Sequence, residues 1–391
     1  VTKTITALAV AQLVDSALLA FDDPVVKHLP DFALRAEDRG RAMTLRHLLT
    51  HTSGLRQWDG HDRRAQREGR FDHIAPRRQP GIGFEYSSLN YMILGKVVEA
   101  VSGMRYGEYV RTRIFEPLDM RHSFTDLSTA RARGLIRGHR FAYGLAIRGH
   151  ETQQPYPLIP AGFAISSARD LGHLLSMLLN NGQFRGRQIL SPKALQEMLT
   201  PWDRGQTGPG MAWGIGRSRI GHAGSTPTFS ARASLLPQSG HGIIVLANVN
   251  SGPFFDGTAA VMDGIVSILG GDRARPSRPD EILLKVGILL LMLAGIGRML
   301  AAFRRWMRRG RPRTLDGSRR VVQPLLVEIV AAIIVLLAIP RWLGVPLRTI
   351  LEYFPDLGIA MVVGVFTGLC GALLRSLVVA SETRQAAEPV A

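Results

Sequence analysis

Apolar residues along this chain follow two regimes. Up to about Asp280 they recur in short runs broken by Gly, Pro and charged residues; beyond it they fuse into three long stretches. The opening run, TITALAVAQLVDSALLAF, is apolar on nearly every face, which predicts a helix buried between two layers and ended by Asp22, Asp23 and Pro24. MTLRHLLTHTSGL predicts a helix followed by a turn, and YSSLNYMILGKVVEAVSG a polar loop feeding an amphipathic helix closed by Gly103. GFAISSARDLGHLLSMLLNNG predicts a loop, then a helix capped near Ser167 and stopped by Asn180, Asn181 and Gly182. WGIGRSRIGHAGS, ARASLLPQSG and HGIIVLANV run apolar or alternate between Gly-rich turns, the pattern of antiparallel strands. With the helical body first and the hairpins last, the fold class is α+β rather than repeating βαβ.

The later stretches are long enough to cross a hydrocarbon core of about 30 Å. They predict membrane helices at about 282–303, 325–345 and 357–374. Lys285 and Arg298 sit toward the ends of the first and can snorkel. Glu328 lies near one end of the second, at an interface. Gly364 and Gly368 give the third a small-xxx-small spacing that permits close helix contact. Between the first two lies RRWMRRGRPRTLDGSRR, holding one acid, Asp316. The positive-inside rule makes this loop, 304–320, cytoplasmic and everything before the first helix extracytoplasmic. The expected organisation is a globular domain over 1–275, a linker at 276–281, a multi-pass membrane region over 282–380 and a cytoplasmic tail at 381–391.

Charge and cysteine content alter this picture little. The 391 residues carry a formal net charge of +17, but the excess is scattered arginine without a groove-reading motif, which argues against nucleic acid as a partner. The single cysteine, Cys370, lies in an apolar stretch and supplies neither a disulfide framework nor a thiolate metal site. His47 and His51 have metal-ligand spacing on a predicted helix, but Leu48 stands where a zinc hydrolase needs its glutamate, so no metal or other cofactor is expected. No Gly-x-Ser-x-Gly elbow occurs, which argues against an α/β-hydrolase.

Several blocks, in order, carry a resemblance: VTKTITALAVAQLV, TLRHLLTHTSGL, YSSLNYMILGKVVEAVSG, PAGFAISSARDLGHLL and GHAGSTPTFSARASLLP. Together they resemble the serine β-lactamase-related family, which includes class C β-lactamases, D-alanyl-D-alanine carboxypeptidases, D-aminopeptidases and esterases. The resemblance spans residues 1 to about 270. It implies an antiparallel sheet flanked by helices, and three motifs converging on one cleft: Ser-x-x-Lys, Tyr-x-Asn and Lys/His-x-Gly.

Lys3 matches the lysine of the first motif. Counting back three places puts the nucleophilic serine immediately before Val1, outside the chain, so the chain is expected to be a truncated form without covalent turnover. At helical spacing i and i+3 an amine lies beside the hydroxyl it helps deprotonate. Tyr86 matches the tyrosine that exchanges a proton with nucleophile and leaving group. Ser88 stands where the family has asparagine, and a hydroxyl lacks the amide's two donors for a substrate carbonyl. His222 and Gly224 match the third motif in its histidine form, and the backbone N–H of Ser225 is implied in the oxyanion hole. A neutral histidine anchors anions less well than lysine, which favours peptidase or esterase work over carboxylate-bearing penicillins. Ser53, Ser166 and Ser167 read as turn and cap residues. The expected activity is acyl transfer on amide, peptide or ester substrates such as D-amino-acid peptides or β-lactams. The alternative is a binding or regulatory relative that kept the fold and lost the nucleophile.

Overall fold

The computed structural model describes residues 1–391 except 36, 144, 150–153, 251–256, 275–285, 288, 291–292, 298, 302–303, 305–325, 344–346, 354 and 387–391. The chain divides into two units. The first comprises Val1–His139, Arg148–Val249 and Gly257–Arg275; the second comprises Arg140–Ile147, Asn250–Asp256 and Pro276–Ala391.

Within the first unit, helix α1 (Thr2–Asp15) is the centre of the core, with Ile5, Leu8, Ala9 and Val10 almost wholly excluded from water. Its early polar residues are buried too, and each finds a partner, which is what makes their burial tolerable. Thr2 Oγ1 accepts from the Ala164 amide at 3.1 Å, and Thr4 and Thr6 donate to the carbonyls of Val1 and Pro160 at 2.8 and 2.7 Å. These bonds moor the start of α1 to the segment around a short helix at Ile159–Gly162. The helix ends earlier than the hydrophobic pattern predicts, at Asp15 rather than Asp22. Ala17 turns left-handed at φ 57°, and the Leu18 and Leu19 amides fold back onto the Leu13 carbonyl. The apolar run continues because Leu19 and Phe21 are buried from a loop.

Helix α2 (Leu45–Leu49) is capped by Thr44, whose hydroxyl accepts from the His47 amide while His47 Nδ1 accepts from the Thr44 amide. It stops two residues before His51, so the predicted helical spacing of His47 and His51 is broken. Helix α3 (Ser88–Ser102) packs on α1 and ends at Gly103 in the left-handed conformation, as its sequence predicts. Helix α4 (Ala168–Leu179) is capped by the Ser167 hydroxyl, which accepts from the Asp170 amide at 3.2 Å.

The strands run in chain order. A hairpin, β1 (His139–Ala142) and β2 (Leu145–Arg148), and a two-residue ribbon, β3 (Gln183–Phe184) with β4 (Arg187–Gln188), precede the main sheet. That sheet is antiparallel in the order β5 (Gly208–Pro209), β6 (Gly214–Ile215), β7 (Ile220–Ser225), β8 (Ser230–Leu236), β9 (His241–Ala247). Registers His222 with Ala233 and Ala233 with Ile244 set the inner face, where Ala233 is buried in the same core as α1. Helix α5 (Gly257–Leu269) covers Leu236 and Ile243 through Met262. The α+β architecture of helices flanking an antiparallel sheet is therefore present.

In the second unit, helix α6 (Pro355–Ala386) begins with a segment, Pro355–Leu374, that is long and apolar enough to cross a membrane. It continues through residues expected to be tail. The expected second span is not one straight helix: Leu326–Trp342 and Leu347–Tyr353 reach spanning length only together, bent by 83°. A π-helical turn at Ile334–Ala338 precedes Pro340, which lacks the backbone N–H that a regular helix needs. Of the first expected stretch only short pieces are described, and the arginine loop at 305–320 lies outside the described residues; among the described residues there are one candidate helix and a bent pair. A Cβ on Gly368 would fall 2.4 Å from Glu328 Oε2, so the small residue there admits a carboxylate, whereas Gly364 faces open space. The β1–β2 turn also belongs to this unit: the Tyr143 amide donates to Asp356 Oδ1 at 2.5 Å and its hydroxyl to the Asp356 carbonyl at 2.6 Å.

Candidate active site

The first turn of α1 meets the loop before α3 and the middle of β7. Lys3 is 4% exposed, an unusual place for an ammonium unless it is held. It donates to the Ala161 carbonyl and, at 3.4 Å, to Ser88 Oγ. Its Nζ also lies 5.0 Å from the centre of the Tyr86 ring and 5.5 Å from that of Tyr91. Lys3, Tyr86 and Ser88 are therefore one cluster, assembled from residues 83 to 85 positions apart. The Ser88 hydroxyl is within reach of the lysine.

Tyr86 has two faces. Solvent reaches 40% of the residue, while its hydroxyl end is enclosed beside Lys3. Burial alone would raise the phenol pKa; the charge of Lys3 and hydrogen bonds with Lys3 and Ser88 outweigh it and bring the phenol below its ordinary value. A phenol so acidified can take and return a proton nearer neutral pH than a free tyrosine. Tyr91, fully buried and donating to the Leu49 carbonyl at 2.7 Å, is pushed well up by burial and is a packing residue.

On the sheet side, a Cβ built on Gly224 would lie 2.7 Å from the Val1 nitrogen, so only glycine lets β7 close onto the start of α1. His222, two residues earlier on the same face, is held well below the ordinary histidine pKa chiefly by burial, with the Lys3 charge and His51 adding to it. It is neutral at neutral pH and gives the cleft no cation. Ser225 ends β7 one residue beyond Gly224, paired with Ser230. The other serines considered in the sequence are engaged: Ser53 donates to Asn90 Oδ1 at 2.7 Å, and Ser166 bonds Ser123 Oγ at 2.7 Å.

Two contributors are not evident from motif spacing. The Ala161 carbonyl is a backbone atom and leaves no side-chain signature. His51 is buried against the Tyr86 ring at a centroid distance of 4.6 Å, and burial, then the Lys3 charge, holds its imidazole well below the ordinary value. This gives the fold a predicted pH dependence. The unfolded chain protonates histidine at about 6.5, and the folded state resists, so stability is complete above that value and falls as pH drops below it. Each such histidine contributes a slope of up to about 1.4 kcal/mol per pH unit. Denaturant melts at pH 7.5 and 5.5 should show this loss, and His51→Asn should flatten the slope.

Comparison with known proteins bears on family and fold. The sequence matches the Beta-lactamase family over residues 1–265. Protein flp of Staphylococcus aureus (strain MW2) is 25% identical over 264 residues, covering 64% of this chain. The chain spans about half of that relative's length, 52%. Among solved structures, the penicillin binding protein from Bacillus halodurans aligns with a TM-score of 0.54 at 25% identity, covering 68% of this chain and 84% of that one. The D-amino acid amidase from Ochrobactrum anthropi aligns with a TM-score of 0.58 at 22% identity, covering 69% and 82%, and shares the fold.

Proposed function

Because this chain belongs to the beta-lactamase family, whose members are serine hydrolases, we propose that it forms the body of a membrane-anchored, extracytoplasmic bacterial hydrolase working through an acyl-enzyme. The nucleophile is a serine placed immediately before Val1. Lys3 and Tyr86 handle its proton: the lysine charge acidifies the phenol, and the phenol passes the proton from serine to leaving group. The Ser225 N–H, with that of the serine, stabilises the oxyanion. The substrates are amides, peptides or esters, D-amino-acid peptides and β-lactams among them. A neutral His222 directs the cleft toward substrates without a carboxylate at that end.

One observation carries this reading: Lys3, Tyr86 and Ser88 converge at the first turn of α1, where Gly224 lets β7 close on the Val1 nitrogen. A residue preceding Val1 then falls between the proton-handling pair and the sheet. The test is covalent labelling, by a fluorophosphonate, of the chain bearing serine at that position; an unlabelled, folded protein rejects the enzymatic reading. Ser88 in place of asparagine favours a second reading, a binding or regulatory protein on the same fold, and that result would select it.

The apolar segment Pro355–Leu374 and the bent pair before it support anchoring. Under the proposed domain organisation, the full chain should stay in membranes through alkaline carbonate extraction. The serine-bearing form ended at residue 275 should appear in the soluble fraction and be labelled at the same rate within about twofold, since no proposed site residue lies beyond Ser225. A rate lost with the helices would assign them a part in catalysis.

A further inference from the structure

His51 belongs to none of the three motifs, yet it is built into the cluster more firmly than any residue except Lys3. Its backbone is left-handed, φ 58°, a conformation costly for a residue with a Cβ and retained only where surroundings impose it. Its carbonyl accepts from the Glu85 amide at 2.8 Å. Its Nδ1 accepts from the Ser87 amide at 3.1 Å and from Asn90 Nδ2 at 3.0 Å. A backbone N–H can only donate, so Nδ1 carries no proton and the ring is the Nε2–H tautomer whichever way Asn90 is oriented. The Asn90 orientation agrees independently, because Ser53 donates to its Oδ1. The ring lies 4.6 Å from that of Tyr86 and 5.2 Å from that of Tyr91, with Phe84 edge-on at 5.8 Å. The two bonds from residues 85 and 87 thus flank Tyr86, and the imidazole backs its ring.

We infer that His51 is the positioning residue for Tyr86: as a neutral acceptor it clamps the 85–87 loop and holds the phenol against Lys3. This rests on the reading of Tyr86 as the proton-transferring group. Protonating Nδ1 would set two N–H groups against one another, in a buried site already facing Lys3 and His222. Tyr91 faces the same ring as an undissociated phenol. The clamp therefore works only in the neutral ring.

The experiment uses the full chain and needs no turnover. Ring ¹⁵N spectra of His51 should show the Nε2–H tautomer without protonation between pH 8 and 5.5. The Tyr86 phenol, followed by ¹³C-tyrosine spectra, should titrate below the ordinary value of about 10. His51→Ala should move that midpoint up by about one pH unit or more. His51→Asn, which tolerates the left-handed backbone and offers Oδ1 near the place of Nδ1, should keep it near the parent value. An unmoved Tyr86 midpoint in a folded His51→Ala chain overturns the inference. Should His51→Ala not fold, the ring spectra and His51→Asn decide: protonation near 6.5, or a Tyr86 midpoint moved to about 10 in His51→Asn, overturns it equally. Absence of fluorophosphonate labelling in a serine-bearing chain whose Tyr86 still responds to His51 would reject the hydrolase reading and leave the clamp standing.

Discussion

A chain carrying serine immediately before Val1 should be labelled at that serine by a fluorophosphonate, and Lys3→Met in the same chain should slow labelling by about 10³-fold. Residues three apart on a helix share a face, so the added hydroxyl sits above the Lys3 amine at the start of α1. The amine is not free to swing away, since the Ala161 carbonyl and Ser88 Oγ hold it. Methionine keeps the unbranched stem and its packing while removing the charge and the donors. The cost to folding is limited, because the unsatisfied Ala161 carbonyl, about 1–3 kcal/mol, is partly offset by relief from burying an ammonium. A large loss of labelling with a small loss of stability is the signature of a proton-handling lysine. Lys3→Met should also raise the Tyr86 phenol, where burial would then be opposed only by the hydrogen bond with Ser88. Parent-rate labelling in Lys3→Met would remove Lys3 from the mechanism.

The sequence made α1 legible as a core helix because almost every residue from Ile5 to Val10 is apolar, and it placed Lys3, Tyr86 and His222 in one cleft through the ordered blocks of a family resemblance. It misled on where α1 ends. The reversal at Ala17 is a backbone event, and burial of Leu19 and Phe21 from a loop prolongs the same apolar pattern. The Ala161 carbonyl was invisible for a similar reason: any residue supplies one, and only the fold brings this one across 158 positions to Lys3. His51 was visible as a histidine but misassigned to a helix, because the left-handed step after Thr50 that turns it toward Ser87 has no glycine to announce it. The long apolar runs were plain in the sequence, whereas the π-helical turn at Ile334–Ala338 ahead of Pro340 depends on how the chain accommodates a missing N–H, which composition does not specify.

Tyr86→Phe in the serine-bearing chain should lower acylation by about 10²-fold while leaving unfolding nearly unchanged. Removing the hydroxyl takes one partner from Lys3 but leaves it the Ala161 carbonyl and Ser88, and the ring keeps its contacts with His51. The lost step is proton transfer, so the deficit should be greatest for substrates with basic leaving groups. An amide whose nitrogen must be protonated to depart should lose more than a p-nitrophenyl ester, whose leaving group departs as an anion. Measured as burst rates on both substrates, the ratio of the two losses separates a phenol that delivers a proton from one that merely fills space: equal losses would reduce Tyr86 to a packing residue, whereas an amide-selective loss identifies its hydroxyl as the carrier of the proton between serine and leaving group.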